Sequence, residues 1–161
     1  MCYSGCESGG KLVIRGEGTF STNSRSFCII SAPLFVLGKV LVAINASTEL
    51  QGGGDSYGIV TILGSLSLSG NEFRFQAQSQ TTGNGTIDVT GGSHRLPPIV
   101  APTLRVLAGK VVNFNIVTSF LNGVVIEQEG LLQFAIIGVN ASITGNLTMN
   151  GGMLLFPEVS K

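Results

Sequence analysis

Charge is scarce in this chain. Only 11% of its 161 residues are Asp, Glu, Lys or Arg, and nine basic groups balance nine acidic ones to a net charge of zero. Soluble domains usually carry about 25%. A neutral chain without a basic cluster lacks the electrostatic footprint that nucleic acid or an anionic membrane surface requires, so neither is an expected partner. Tryptophan is absent and tyrosine is limited to Tyr3 and Tyr57, which removes the side chains that stack best on sugar rings. Long apolar runs are missing too. The most apolar stretch, Cys28 to Ile44, holds Pro33 and Lys39. It falls short of the ~20 residues that span a bilayer, so it reads as two buried strands and not as a membrane span.

Reactive side chains are equally few: one histidine, His94, and two aspartates, Asp55 and Asp88. Zinc needs four ligands, and Cys2 and Cys6 lie far in sequence from His94, so no metal or other cofactor is expected. Cys2, Cys6 and Cys28 are disulfide candidates; the odd count keeps one of them out of any bridge within the chain. No Asp-Asp or Asp-x-Asp pair supplies the two carboxyl groups of a glycosidase. Asp88 reads as a solvated strand residue, and Glu127 and Glu129 as same-face carboxylates of a charged edge that discourages aggregation. His94 and Arg95 have no nucleophile or base near them in sequence. The stretch QGGGDSYG, Gln51 to Gly58, lacks the Lys-Ser/Thr ending of a phosphate loop and reads as a flexible turn. No catalytic residue is assigned, and the chain is not expected to be an enzyme.

Glycine, by contrast, is abundant at 23 residues. With many β-branched residues and no long i, i+3, i+4, i+7 apolar pattern, it points to an all-β chain. The glycines also recur. Gly18, Gly38, Gly64, Gly85, Gly109, Gly130 and Gly152 each open an alternating strand. Their separations give a loose period of about 22 residues, the kind of internal repeat that precedes any other fold argument. Two residues after each glycine come Phe20, Val40, Leu66, Ile87, Val111, Leu132 and Leu154, all apolar. Read as one column, the first six form a single inward stack.

The coil length, the Gly-x-apolar-x-apolar strand and the Asn/Gly/Ser/Thr-rich turns resemble the right-handed parallel β-helix proteins. This pectin-lyase-like architecture also occurs in surface adhesins and extracellular repeat proteins. The resemblance runs from Lys11 onward and implies a parallel β-solenoid of about seven coils. Residues 1–10 then form a Cys/Gly-rich segment and 11–161 one solenoid domain, complete or part of a longer one. Ser93 to Thr103, with three of the five prolines, reads as a rigid loop leaving one coil. An antiparallel β-sandwich or jelly roll is the alternative, because Asn-Gly at Asn84, Asn122 and Asn150 could make hairpin turns.

Four sequons, at Asn45, Asn84, Asn140 and Asn146, predict glycosylated surface positions in a secreted protein. The N-terminal MCYSGCESGG has no signal-peptide pattern, which fits a removed leader or an internal piece of a longer chain. The expected role is an extracellular or cell-surface structural or adhesive scaffold, assembling end to end into a filament or surface layer. Its expected partners are copies of itself or neighbouring solenoid segments, with glycans as a further class. One alternative is a carbohydrate-binding or carbohydrate-cleaving β-helix module. Another is a capsid-like or ice-binding surface protein. For ice binding, Ser65, Ser67, Thr86 and Thr90 would form a flat hydroxyl surface, interrupted by Lys39, Leu41, Lys110 and Gln133.

Overall fold

A computed structural model describes residues 2–4, 10–92, 94–107, 109–114, 118–134 and 141–156. The first coil holds β1 (Cys2–Ser4), β2 (Leu12–Ile14) and β3 (Thr19–Thr22). The second holds β4 (Phe27–Ile30), β5 (Leu34–Val36) and β6 (Lys39–Val42), the third β7 (Ser47–Leu50), β8 (Gly54–Ser56) and β9 (Ile59–Ile62). The fourth holds β10 (Ser65–Leu68), β11 (Phe73–Phe75) and β12 (Gln80–Thr82). Among the described residues the fifth has two strands, β13 (Thr86–Val89) and β14 (Ile99–Val100). Three strands return in the sixth, β15 (Thr103–Val106), β16 (Val111–Phe114) and β17 (Thr118–Phe120). The seventh has β18 (Gly123–Ile126), β19 (Leu131–Phe134) and β20 (Ala141–Ile143), and the last described coil has β21 (Asn146–Met149) and β22 (Met153–Leu155). Six of these coils are complete triangles.

Every strand pairing among the described residues is parallel and joins a strand to its equivalent one coil away. This is a parallel β-solenoid; the antiparallel sandwich and jelly roll are excluded. One face is an unbroken eight-stranded sheet, β1-β4-β7-β10-β13-β15-β18-β21. The second face runs β2-β5-β8-β11 and resumes with β16-β19-β22; the third runs β3-β6-β9-β12 and resumes with β14-β17-β20. Alternation turns one side of each strand inward. On the long sheet, Leu66, Ile87, Leu104 and Val124 stack in register, each 0–1% exposed.

The single glycine column is corrected by this register. A triangular coil has three corners, and each can begin with glycine followed by an alternating strand. Phe20 and Val40 stack with Val60 on the third face, Leu66 with Ile87 on the long sheet, and Leu132 with Leu154 on the second face. Val111 is not an inward residue of that stack; its neighbour Val112 is, opposite Leu132. The true successor of Gly18 and Gly38 is Gly58: a Cβ at Gly58 would overlap the carbonyl of Gly38, as one at Gly38 would overlap that of Gly18. Coil length varies as well. The turn of chain from Ile87 to Leu104 is shorter than the one from Val124 to Leu147, although each joins stacked positions of the same sheet.

The fifth coil closes differently. Its second face is reduced to one residue, Arg95, bridging to Arg74. Residues 94–103 do not leave the solenoid: His94, Leu96 and Val100 are buried at 0–1% exposure and fill the interior. His94 replaces lost ladder bonds. The Phe73 N–H donates to His94 Nδ1 at 3.1 Å, which leaves Nε2–H to donate to the Gly91 carbonyl. On the third face, Thr81 Oγ1 donates to the Ile99 carbonyl at 2.9 Å and accepts from the Ala101 N–H at 3.3 Å. A side-chain hydroxyl thereby spans the gap between β12 and β14.

Candidate functional site

Polar side chains collect on the outer face of the long sheet, because each turn of the solenoid brings positions distant in sequence into register there. Ser47, Ser65, Thr86 and Thr103 stand one above another on successive strands. The adjacent column reads Glu49, Ser67, Asp88, Arg105. Phe27, 49% exposed, occupies the rung below Ser47. The residues expected to interrupt a hydroxyl array lie elsewhere: Lys39 and Leu41 are on the third face, Gln133 on the second. The hydroxyl column is therefore continuous over four rungs.

Asp88 is not solvated as expected. It is 8% exposed, accepts a hydrogen bond from Ser65 Oγ at 2.9 Å, and lies 3.1 Å from Arg105 Nε. The arginine makes a charge contact without an aligned hydrogen bond. Glu49 accepts from Ser69 Oγ at 2.6 Å and from Gln51 Nε2 at 3.0 Å, while Gln51 Oε1 accepts from Ser31 Oγ at 3.1 Å. The Ser69 and Gln51 hydrogen bonds hold the Glu49 carboxyl below its ordinary pKa. It is a carboxylate at neutral pH, the wrong form for a general acid. Glu49 and Asp88 are two rungs apart, on the order of 10 Å at the usual strand spacing.

A second polar cluster sits on the neighbouring face. Arg74 Nε and Nη2 donate to the two oxygens of Asp55 at 2.9 Å each, and Gln76 Nε2 donates to Oδ1 at 2.6 Å. The Asp55 hydrogen bond makes Arg74 still harder to deprotonate. Asp55 belongs to β8, and it is 4% exposed. The stretch expected to be a flexible turn is a paired strand with its acid locked down. Sequence reasoning missed this pair because Asp55 and Arg74 are far apart along the chain; only the coil length links them.

Other expected positions separate. Glu127 and Glu129 lie in the turn after β18 and not on a strand; Glu127 Oε2 accepts from Asn150 Nδ2 at 3.1 Å. His94 is an interior peg, its pKa lowered by burial and only partly restored by the Gly91 hydrogen bond and by Glu72. Asn45, Asn84 and Asn146 are exposed and share one edge, where the third face turns into the long sheet; Asn140 lies outside the described residues. Register sets Cys2 opposite Cys28, which is fully buried, and Cys6 lies outside the described residues. Among the described residues no group of His, Cys, Asp and Glu could hold a metal ion, and no helix is long and apolar enough to cross a membrane.

The last coil differs in kind. Leu147 and Met149 stack on Val124 and Ile126 and so belong to the inward columns. Yet they are 44% and 47% exposed, whereas Val124 and Ile126 are 0% exposed. Met153 and Phe156 beside them are 55% and 57% exposed. These residues make the largest gathering of exposed apolar side chains among the described residues. No protein-family model matches the chain, and no curated protein or solved structure matches it either, so the geometry alone carries the functional reading.

Proposed function

We propose that the chain is an extracellular structural or adhesive scaffold that joins end to end, with copies of itself or with neighbouring solenoid segments, as part of a filament or surface layer. The supporting observation is the exposure of Leu147 and Met149, inward residues with no described coil above them. Strand edges with unpaired N–H and C=O groups are templates for another chain, and stacking a further coil on exposed inward side chains buries them. The three described sequons share one edge and are exposed, which fits a secreted protein. The kinship with pectin-lyase-like β-helices and adhesins is part of this proposal. Negative-stain electron microscopy over a range of concentrations tests it. Rods longer than one solenoid are expected; single short rods at every concentration would overturn it.

A second reading rests on the outer face of the long sheet. Phe27 followed by the column Ser47, Ser65, Thr86, Thr103, beside Asp88 and Arg105, offers an apolar pad and regularly spaced polar groups. That combination suits a carbohydrate chain lying along the solenoid, with hydrogen bonds fixing orientation. A glycan-binding screen tests it, with Phe27→Ala and Thr86→Val expected to lose any hit.

A further inference from the structure

We infer that Cys2 and Cys28 form a disulfide that fastens β1 to the long sheet. The pairing rests on strand register; the extracellular reading enters only because such a bridge persists in an oxidising environment. Sequence alone leaves three ways to pair Cys2, Cys6 and Cys28. The register singles one out. Strands β1 and β4 are parallel, with Cys2 directly opposite Cys28, Tyr3 opposite Ile29 and Ser4 opposite Ile30. Neighbouring strands run about 4.8 Å apart, inside the ~4.4–6.8 Å between Cα atoms that a disulfide spans. Cys28 is 0% exposed and belongs to the inward column that continues through Thr48 and Leu66. Its neighbour on the other side is therefore Thr48, and Cys2 is the one cysteine that the register sets within reach among the described residues.

The bridge has a mechanical consequence. Strand β1 is three residues long, and among the described strands it pairs with β4 alone. A short strand held from one side opens locally at little cost, and its loss would bare the β4 edge and the buried Cys28. A covalent link between the two strands opposes that opening, and it also restricts the unfolded chain. The bridge forms by exchange with a small-molecule disulfide, which is the oxidant. The Cys2 thiolate attacks one sulfur of the donor and expels the other as a thiol. The Cys28 thiolate then attacks Cys2 Sγ and expels the remaining half. Two protein S–H groups become one S–S bond while the donor's S–S bond becomes two S–H groups, so protons and electrons balance. Because Cys28 is sealed in the folded solenoid, the second step belongs to folding or to a moment when β1 has lifted.

Peptide mapping by mass spectrometry, on the full chain folded with oxidised glutathione, tests the pairing. Cleavage after Tyr3 separates Cys2 from Cys6. The expected product joins the Cys2 and Cys28 peptides and is two hydrogens lighter than the reduced pair. Cys6→Ser should keep this link, and Cys2→Ser should lose it. Cys28→Ala should lose it too; should that variant misfold, the map of the parent chain still decides. Hydrogen exchange reads the fastening: reduction should speed the amides of β1 at least tenfold and leave those of β10 unchanged. Equal exchange at β1 in both forms would overturn the fastening role. A bridge from Cys6 to either partner, or three alkylatable thiols after treatment with the donor, would overturn the pairing and leave the scaffold reading in place. Failure of the rods to appear in microscopy would overturn the scaffold reading and leave the bridge in place.

Discussion

The second to fourth coils and the fifth coil do the same job by different means. In the former, most strand backbone groups find their partners one coil away, with Thr22 Oγ1 accepting the Ala43 N–H at 3.2 Å between the first two coils. Most inward side chains only have to be the right size and apolar. In the fifth coil the second and third faces lose their ladders, and His94 and Thr81 supply the missing bonds. One consequence is counterintuitive. Among the described residues, the regular coils carry buried hydroxyls with no partner, Thr48 Oγ1 and Ser56 Oγ, whereas the buried His94 ring and Thr81 hydroxyl at the irregular coil are fully engaged. Regular stacking tolerates a misplaced polar group because the ladder holds the strand anyway. Where the ladder is gone, a side chain must make the bonds.

The largest expected effect breaks the regular part at its backbone. Gly54 has φ +127°, and a Cβ there would fall on the backbone of Leu34 in the coil below. Gly54→Val should therefore cost more than about 4 kcal/mol and abolish cooperative folding, read by loss of the strand signal in circular dichroism. A variant that melts within a few degrees of the parent would show that the coils can separate locally at no great cost.

Next comes the packing beneath the junction of the two regions. Phe73 and Phe75 meet edge to face, with centroids 5.1 Å apart, and both are 0–1% exposed. Phe75→Ala should cost about 3–5 kcal/mol in urea unfolding. A cost under about 1 kcal/mol would mean that the fifth coil collapses into the vacated space.

Acid sharpens the comparison from the other side. Burial lowers the folded pKa of His94, so its contribution is intact above the unfolded value of about 6.5 and is lost as pH falls below it. Between that value and the folded pKa, each pH unit should remove about 1.4 kcal/mol, since the unfolded chain takes up a proton the folded chain refuses. Protonating Nδ1 would also set it against the Phe73 N–H. Glu72 is the charged group that favours protonation, and it acts weakly. Glu49 has the same sign in a lower window: its depressed pKa stabilises the fold above the ordinary carboxylate range, and that stability is lost as pH falls through the folded pKa. Melting temperature followed from neutral pH into acid should show two steps, and His94→Gln should remove only the upper one. A curve that stays flat until the carboxylates titrate would contradict the buried neutral histidine.

The solenoid itself was legible in the sequence. Parallel coils follow from recurring glycines, alternation and a strand before each turn. The assignment of strands to faces was not legible, because all three corners share the same glycine-then-apolar pattern. The two longest steps in the glycine series, Gly38 to Gly64 and Gly85 to Gly109, were slips from one corner to the next. The errors about the long sheet share this origin. Asp88 looks isolated in the single column because that column sets Val112 beside it, with Ser67 on the other side, where the structure has Arg105. The hydroxyl column looked broken for the same reason. His94 looked like a lone loop residue because nothing local marks a histidine as a backbone substitute. Three glycine columns instead of one separate the faces but do not complete the long-sheet columns, because Ser47 follows Ala46 and Thr103 follows Pro102 where Ser65 and Thr86 follow glycines.

The smallest effect is also the most discriminating, because one substitution should have opposite signs in the two regions. Thr48 is 1% exposed and lines the interior with Ile30, Leu34, Val60 and Phe75, and its hydroxyl has no hydrogen-bond partner among the described residues. Valine keeps the shape and removes a buried group that lost its water on folding, so Thr48→Val should stabilise by about 1 kcal/mol. Thr81 is also buried, at 4% exposure, but its hydroxyl serves both the Ile99 carbonyl and the Ala101 N–H. Thr81→Val would strand those two backbone groups, and it should destabilise by about 1 kcal/mol or somewhat more. Urea unfolding of the two variants side by side cancels most differences of method. If both lose stability, the Thr48 hydroxyl has a partner and the regular coils are no more tolerant than the fifth. If both gain, the bond across β12 and β14 is not what closes the fifth coil, and the packing of Leu96 and Val100 must hold it instead.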